Sequence, residues 1–183
     1  MPETEPKGEL WIFGYGSLIW NPGFDFAERV VARLDGWHRS FCMTSIHYRG
    51  RPDDPGLVLA LDRAAGASCL GLAFRAPPGT EAATLAYLRE RELISSAYIE
   101  ERLPLDLTDG RQVTAVTYVI DRDHCQYCGG MGLEEQARTI AHAAGDNGPN
   151  RDYLFATAAH LDTLGIADAD LGWLVERVRE IAP

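Results

Sequence analysis

A glycine-rich segment near the start of the chain has the composition of a main-chain anion site. Residues 13–18 read Phe-Gly-Tyr-Gly-Ser-Leu. Glycine has no Cβ, so a ligand can approach the backbone N–H groups closely, and consecutive amides in a turn can form a concave site for a carboxylate. The third glycine of a dinucleotide-binding fingerprint is absent. The segment therefore fits either a carboxylate site or an ordinary turn at the end of a strand.

Glu92 is the strongest candidate for a general base. Leu85, Leu88 and Glu92 are spaced by three and then four residues, so they share one face of a predicted helix. The leucines should face the core, and Glu92 should point the same way. Burial would raise the pKa of this carboxyl, which suits proton transfer near neutral pH. The alternative is a buried ion pair with an arginine, whereas Glu90 lies on another face and is expected in solvent.

Two further segments carry polar side chains that could hold a ligand. Tyr153 falls in the first turn of a predicted helix, after Asn150, which we interpret as the helix cap. The Tyr153 hydroxyl could meet a polar ligand group, or the ring could simply cover the core. The segment 47–50, His-Tyr-Arg-Gly, places Arg49 before a Pro/Asp turn. Arg49 could position an anion or could be ordinary loop polarity.

Cys125 and Cys128 form a Cys-x-x-Cys motif beside His124. Such a motif can bind zinc or cycle as a dithiol, but it supplies only two thiolates and enters a glycine-rich loop. Cys42 and Cys69 fall in predicted strands without a second motif. One alternative function for the chain is a non-catalytic protein that binds zinc or acts through the thiols of Cys125 and Cys128. A nucleophilic cysteine is a second alternative, but the spacing of the histidines does not identify a partner for it.

The elements that must position these residues indicate an α+β fold, because predicted strands dominate the first two thirds of the chain and helices the rest. We predict single strands at 10–13 and 112–120. Residues 29–43 are predicted to form two strand pieces with a break at Gly36, and the strands 57–61 and 69–74 are predicted to form a hairpin through Gly66. We predict helices over 81–94 with Thr80 as cap, over 133–144 closed by Gly145, from 151 to 164 closed by Gly165, and over 171–181.

Length and charge limit the classes of function. The chain has 183 residues, which suits one domain or at most two very small ones. We place a single domain at 10–183 after a flexible tail at 1–9. Its net charge of −10 disfavours nucleic-acid binding. No apolar run long enough to span a membrane and no secretion signal is seen. We therefore expect a cytoplasmic protein whose four cysteines are reduced.

The opening run from Trp11 to Trp20 resembles the signature of the ChaC-like, glutathione-specific gamma-glutamylcyclotransferases, with the bacterial branch most similar. The likeness extends from about residue 10 to about residue 180. It includes the segments 39–41 (Arg-Ser-Phe), 48–50 (Tyr-Arg-Gly), 55–61 (Pro-Gly-Leu-Val-Leu-Ala-Leu), Tyr87-Leu88 leading to Arg91-Glu92, and 152–154 (Asp-Tyr-Leu).

The resemblance implies a small mixed β-barrel with packed helices and a lyase reaction on a small molecule. The glutamyl α-amine attacks its own γ-carbonyl, so that glutathione gives 5-oxoproline and Cys-Gly, without metal, nucleotide cofactor or covalent enzyme intermediate. Glu92 matches the catalytic glutamate, and Arg49 and Tyr153 match positions near the substrate. The substrate loop falls on Gly14, Tyr15, Gly16, Ser17, Leu18 and Ile19.

The sequence departs from this family after the catalytic glutamate. Members often carry glycine before the tyrosine that follows, whereas this chain has Ala97-Tyr98, preceded by Ser95-Ser96. This change could narrow or reshape the pocket. The Cys125/Cys128 pair is not part of the family pattern either, and neither departure removes a catalytic group. Other gamma-glutamyl peptides or amines are alternative substrates.

Overall fold

Strands and short helices fill the first two thirds of the chain, and helices fill most of the last third. The computed structural model describes residues 8–94 and 96–182. The strands are β1 Trp11–Gly14, β2 Glu28–Ser45, β3 Gly56–Arg75, β4 Tyr98–Leu107, β5 Gln112–Ile120, β6 Ala144–Gly145 and β7 Gly148–Pro149. The helices are α1 Ser17–Trp20, α2 Glu81–Glu92, α3 Leu133–His142, α4 Asn150–Thr163 and α5 Ala169–Ile181.

The first five strands form a closed barrel in the order β1-β3-β2-β4-β5, with a further pairing between β3 and β5. β1 runs antiparallel to β3, with Gly14 opposite Leu72. It runs parallel to β5, with Trp11 opposite Ala115. The barrel is therefore mixed, which confirms the α+β fold class and the barrel expected from the resemblance.

The described residues divide into two compact units. One contains the residues up to His38 together with Arg63–Val119, and the other contains Arg39–Asp62 and the residues from Ile120 onward. The first unit holds β1, α1, α2, β4, β5 and parts of β2 and β3. The second holds the remaining parts of β2 and β3, the β6–β7 hairpin and α3 to α5. The single domain at 10–183 stays a prediction, and most of the predicted tail at 1–9 lies outside the described residues.

Each unit has its own apolar core. In the first, Ile12, Phe13, Phe74 and Val116 of the barrel strands are fully buried. In the second, α3 packs against α4 and α5. On α4 and α5, five apolar residues at helical spacing are buried: Leu154, Leu161, Leu171, Leu174 and Val178. They form the inward faces of these two helices.

Two glycines interpreted as strand breaks lie within continuous strands. Gly36 has φ +86° and Gly66 has φ +79°, and the strand continues through both, as β2 and β3. The predicted break at Gly36 and the predicted hairpin through Gly66 are therefore wrong. Glycine tolerates a positive φ inside a strand, where it accommodates a local bend rather than a chain reversal.

Several predicted helix ends are displaced, and three strands, the long β4 and the two-residue β6 and β7, are missing from the prediction. α2 ends at Glu92, not at residue 94, and α3 ends at His142, with Gly145 in β6. Thr80 holds the N-cap position of α2 without capping it, because its hydroxyl donates to the Pro77 carbonyl at 2.7 Å. β4 was not predicted at all. Within the described part of the chain, no helix combines the length and hydrophobicity needed to cross a bilayer.

Candidate active site

The glycine-rich turn connects β1 to the short helix α1. The Ile19 N–H donates to the Gly16 carbonyl at 3.0 Å, and the Asn21 N–H donates to the Ser17 carbonyl at 2.7 Å. The Ile19 amide is therefore used inside the turn. Over residues 14–19, Ser17 is half-buried and the others are buried. The turn is a packed part of the first unit, not a loose loop.

Close packing between the glycine-rich turn and β3 explains why Gly14 and Gly71 carry no side chain. A Cβ on Gly14 would lie 3.0 Å from the Leu18 Cβ and 3.2 Å from the Phe74 ring. A Cβ on Gly71, in β3, would lie 2.4 Å from the Gly14 carbonyl oxygen. Real Cβ atoms essentially never approach as closely as the one at Gly71 would, so the turn can rest on β3 only because Gly71 lacks a side chain. A Cβ on Gly14 would require its neighbours to move by a few tenths of an ångström.

Glu92 lies on the inward face of α2, as its spacing predicts. Leu85 and Leu88 are buried, and the Glu92 side chain is 16% exposed. Burial raises the pKa of Glu92, and the positive charge of Arg91 opposes this rise. The Arg91 Nε lies 3.4 Å from the Glu92 Oε1. The Glu92 carboxylate is therefore both largely buried and close to an arginine, so the two alternatives predicted for it apply together. Glu90 is exposed, as expected.

Arg91 connects the end of α2 to the glycine-rich turn. Its Nη1 donates to the carbonyls of Asn21, at 2.6 Å, and Pro22, at 3.0 Å. Its Nη2 donates to the Ser17 hydroxyl at 3.3 Å. Because Glu92 is the next residue, these bonds hold its backbone beside the turn. The structure therefore places the residue next to the predicted base in contact with Ser17 of the predicted substrate loop.

A hydrogen-bonded chain that the sequence did not reveal supports the turn from the barrel side. The Tyr15 hydroxyl donates to the Tyr118 carbonyl at 2.7 Å. The Tyr118 hydroxyl donates to Glu100 at 3.2 Å, and Arg89 donates two bonds of 2.9 Å to the same carboxylate. Burial raises the pKa of Tyr118, and the carboxylates of Glu100 and Glu92 add to this effect. Tyr118 therefore stays protonated and can act as a donor.

Glu92 and Glu100 titrate in opposite directions from their ordinary values. Burial opposes ionisation of Glu100, but the hydrogen bonds and charge of Arg89 outweigh it and lower the pKa. For Glu92 the opposing effect is the charge of Arg91, which is smaller than the effect of burial, so its pKa is raised. Acids whose environments separate their pKa values in this way take different roles. Glu100 is suited to stay ionised as a structural acceptor, and Glu92 to exchange a proton.

Arg49 and Tyr153 lie together in the second unit. The Arg49 guanidinium carbon is 5.8 Å from the centroid of the Tyr153 ring, and its Nη1 donates to the Pro149 carbonyl at 3.2 Å. Burial lowers the pKa of Arg49. The Tyr153 hydroxyl accepts a hydrogen bond from the Leu59 N–H at 3.2 Å. Tyr153 is thus at least partly a structural residue, and its contact with a ligand stays a prediction, as does that of Arg49.

Asn150 is the first residue of α4, not its cap. Its side-chain Oδ1 accepts from the Leu57 N–H at 2.8 Å, and its Nδ2 donates to the Leu57 carbonyl at 2.7 Å. The side chain therefore completes the hydrogen bonding of β3 as a neighbouring strand would. Asparagine is the usual residue at a cap, which is why the sequence alone suggested that role.

The Cys-x-x-Cys motif lies in the second unit beside β2. Met43 pairs with Tyr127 across an antiparallel bridge, and the Cys128 N–H donates to the Cys42 carbonyl at 2.8 Å. Burial raises the pKa of Cys42 to about 12 and that of Cys128 to about 11, which disfavours thiolate chemistry at both. Over residues 8–94 and 96–182, no group of three or more His, Cys, Asp or Glu side chains could hold a metal ion.

The departure after Glu92 falls in a short connection to β4. Ser96 has φ +59°, a conformation that glycine adopts at less cost than serine. Ala97 is completely buried, and Ser95 lies outside the described residues. An effect of this segment on the pocket stays a prediction.

Comparisons with known proteins match almost the whole chain. The sequence model of the ChaC-like protein family matches residues 10–181. The glutathione-specific gamma-glutamylcyclotransferase of Escherichia coli K12 is 39% identical over 175 residues, which cover 96% of this chain and 75% of that protein. Gamma-glutamylcyclotransferase 2-1 of Arabidopsis thaliana is 39% identical over 155 residues, which cover 80% of this chain and 71% of that protein.

The fold has a counterpart among solved structures. The selenomethionine-labelled crystal structure of a yeast gamma-glutamylcyclotransferase specific to glutathione superposes with a TM-score of 0.86. It covers 96% of this chain and 98% of the yeast chain at 22% identity. At 22% identity this similarity establishes the fold only. The relationship in sequence rests on the family model and on the two relatives above.

Proposed function

The chain belongs to the ChaC-like protein family, and from this premise we propose that it is a gamma-glutamylcyclotransferase that cleaves glutathione to 5-oxoproline and Cys-Gly. The observation that carries the proposal is the Glu92 carboxylate, which is 16% exposed and whose pKa is raised by burial. It follows directly after Arg91, which binds Ser17 of the glycine-rich turn. The same chemistry is suggested by the resemblance of the opening signature, so the site and the sequence point to one reaction.

Glu92 performs the proton transfers in the proposed mechanism. The substrate's α-ammonium group is not a nucleophile until a base removes a proton. Glu92 takes this proton, and the resulting amine attacks the γ-carbonyl carbon, which closes a five-membered ring. Collapse of the tetrahedral intermediate breaks the γ-glutamyl amide bond as protonated Glu92 gives its proton to the departing nitrogen. The ring nitrogen then releases its second proton to the Glu92 carboxylate, which passes it to the amine of Cys-Gly, so that the products are the neutral lactam of 5-oxoproline and the ammonium form of Cys-Gly. A raised pKa suits a group that must accept and release a proton near neutral pH.

The glycine-rich turn supplies the substrate loop in this proposal. Ring closure requires a bent glutamyl group, so the site must hold the chain in a near-attack shape. The main-chain amides of residues 14–18 are the candidates for binding the glutamyl carboxylate and the γ-oxyanion, since the Ile19 amide is occupied by Gly16. Arg49 and Tyr153 are proposed as further substrate-binding residues on the strength of the family resemblance.

Product analysis tests the proposal directly. Incubation with reduced glutathione, without added metal and in the presence of EDTA, should give 5-oxoproline and Cys-Gly in equal amounts by liquid chromatography and mass spectrometry. Formation of free glutamate in place of 5-oxoproline would indicate hydrolysis and contradict the mechanism. Cyclisation of gamma-glutamyl amines in strong preference to glutathione would reject the substrate and keep the reaction class.

Tyr153→Phe separates the structural and ligand roles of this hydroxyl. Loss of the hydrogen bond from the Leu59 N–H should lower the free energy of unfolding by about 1 kcal/mol. If the hydroxyl also contacts glutathione, KM should rise severalfold in the folded variant. Chemical denaturation and steady-state kinetics measure the two effects. An unchanged KM in the destabilised variant would remove Tyr153 from the substrate site.

We also infer a cytoplasmic location. The cytosol keeps thiols reduced, and all four cysteines of the chain are free. A reaction on reduced glutathione fits the same compartment.

A further inference from the structure

Arg91 uses its whole guanidinium group on two different parts of the candidate site. Its Nη1 and Nη2 donate to the Asn21 and Pro22 carbonyls and to the Ser17 hydroxyl. Its Nε lies 3.4 Å from the Glu92 Oε1. One side chain therefore contacts both the end of the substrate loop and the base, and the mechanism above assigns it no task.

The loop that Arg91 holds is shaped to receive it. Gly23 has φ +73°, and a Cβ there would lie 2.0 Å from the Tyr87 hydroxyl and 3.3 Å from the Arg91 Nη1. The Tyr87 hydroxyl is itself 3.3 Å from the Arg91 Nη1. The chain after α1 can therefore fold over Arg91 and present two carbonyl oxygens to one nitrogen. A guanidinium is planar and offers several donors in fixed directions, which a lysine ammonium cannot reproduce.

From these contacts we propose that Arg91 is a positioning residue for the cyclisation: it fixes the substrate loop at a set distance and orientation from the Glu92 carboxylate. The inference rests on the proposed function. Because effective intramolecular attack requires the reacting groups to be held within narrow limits, a small displacement of the loop relative to Glu92 should cost turnover even when the fold is intact.

The charge of Arg91 has a second, separable effect on Glu92. It opposes the rise in the pKa of Glu92 that burial causes. Among the described residues, Tyr118 on β5 also interacts electrostatically with Glu92, and its hydroxyl is bound to Glu100 on β4. Removal of the Arg91 charge should therefore raise the pKa of Glu92 further. The base would then be protonated up to a higher pH, and the acid limb of the kcat/KM profile should move upward.

Two variants distinguish the geometric role from the electrostatic one. Arg91→Lys keeps the positive charge and loses the fixed donor geometry, and Arg91→Met keeps most of the aliphatic stem and loses both. We expect R91K to lower kcat/KM by about 10-fold and R91M by about 100-fold or more, on the scale of hydrogen bonds to charged groups. The acid limb should stay near its parent position in R91K and move to higher pH in R91M.

The control is Arg33→Met, which removes a half-exposed surface arginine of β2 paired with Asp35 and Asp106. It should leave kcat/KM and the pH profile unchanged. Activity of the parent chain on glutathione tests the proposed function first, so an inactive parent refutes that function and not the role of Arg91. With an active parent, folded R91K and R91M that retain parental kcat/KM and the parental acid limb would overturn the inference.

A double-mutant cycle keeps the inference testable if R91M does not fold. Ser17→Ala removes one loop partner of Arg91, and the cycle combines it with R91K. If Arg91 acts through the loop, the effects of R91K and S17A on kcat/KM should be clearly less than multiplicative in the double variant. Multiplicative effects would show that the two side chains act independently and would overturn the proposal.

Discussion

Glu92→Gln should lower kcat for glutathione by about 10³-fold, the scale of a lost general base, and leave the fold intact. Glutamine has nearly the same shape and fits the same place on α2, but it cannot accept the proton of the α-ammonium group. KM should change little, because the substrate loop is unaltered. Steady-state kinetics with 5-oxoproline as the measured product determine both constants.

The same substitution should stabilise the protein in a pH-dependent way. Burial raises the pKa of Glu92 in the folded state, so the folded state binds the proton more tightly than the unfolded chain does. The parent therefore loses stability as pH rises from the unfolded pKa, about 4.3, through the folded pKa. Glu92→Gln avoids this loss. Its advantage in unfolding free energy should be complete above the folded pKa of Glu92 and vanish at about pH 4.

Glu90→Gln is the matched control for both effects. Glu90 lies two residues away on an exposed face of the same helix. Its substitution should leave kcat within about twofold of the parent and change stability by no more than about 0.5 kcal/mol. If folded Glu92→Gln kept more than a tenth of the parental kcat, Glu92 would not be the base. A stability difference that did not depend on pH would contradict the raised pKa.

Glu92 could be predicted from the sequence because its environment is local. The 3.6-residue period of a helix places it on the face of Leu85 and Leu88 without any knowledge of the tertiary fold. The network behind it could not be predicted in this way. Glu100 lies in β4, a strand rich in charge and containing a proline, and its acceptor role exists only because Arg89 and Tyr118 converge on it.

The wrong predictions concern residues whose role is usually set by their neighbours in sequence but is set here by distant parts of the chain. Gly36 and Gly66 were interpreted as strand ends, but the barrel strands β2 and β3 continue through them. Cross-strand pairing decides whether a positive φ ends a strand or curves it, and pairing partners are distant in sequence. Asn150 shows the same limit. Its amide side chain binds Leu57, 93 residues away along the chain, and no local rule indicates such a partner.

Asn150→Ala should be among the most destabilising substitutions in the second unit. Asn150 is completely buried, and its side chain satisfies both the N–H and the C=O of Leu57, which is also buried. Each backbone group left without a partner costs about 1–3 kcal/mol, so the loss should be about 2–6 kcal/mol. For a chain of this size the melting temperature should fall by roughly 5–20 °C.

Two variants test whether the lost hydrogen bonds are the cause. Asn147→Ala truncates an exposed asparagine before β7 and should change the free energy of unfolding by no more than about 0.5 kcal/mol. Asn150→Asp keeps an acceptor for the Leu57 N–H but places an oxygen against the Leu57 carbonyl. In the ionised form it adds a buried charge, so this variant should be strongly destabilised at neutral pH.

Acidification should partly rescue Asn150→Asp but not Asn150→Ala. Burial and the facing carbonyl should raise the pKa of the introduced carboxyl in the folded state, and its protonated form can donate to the Leu57 carbonyl as the amide does. The deficit relative to the parent should therefore grow as pH rises from the unfolded pKa, about 3.9, through the folded pKa, and shrink on acidification. Parallel urea titrations of the parent and both variants across this range measure it. An Asn150→Ala variant as stable as Asn147→Ala would show that the two backbone groups of Leu57 find other partners.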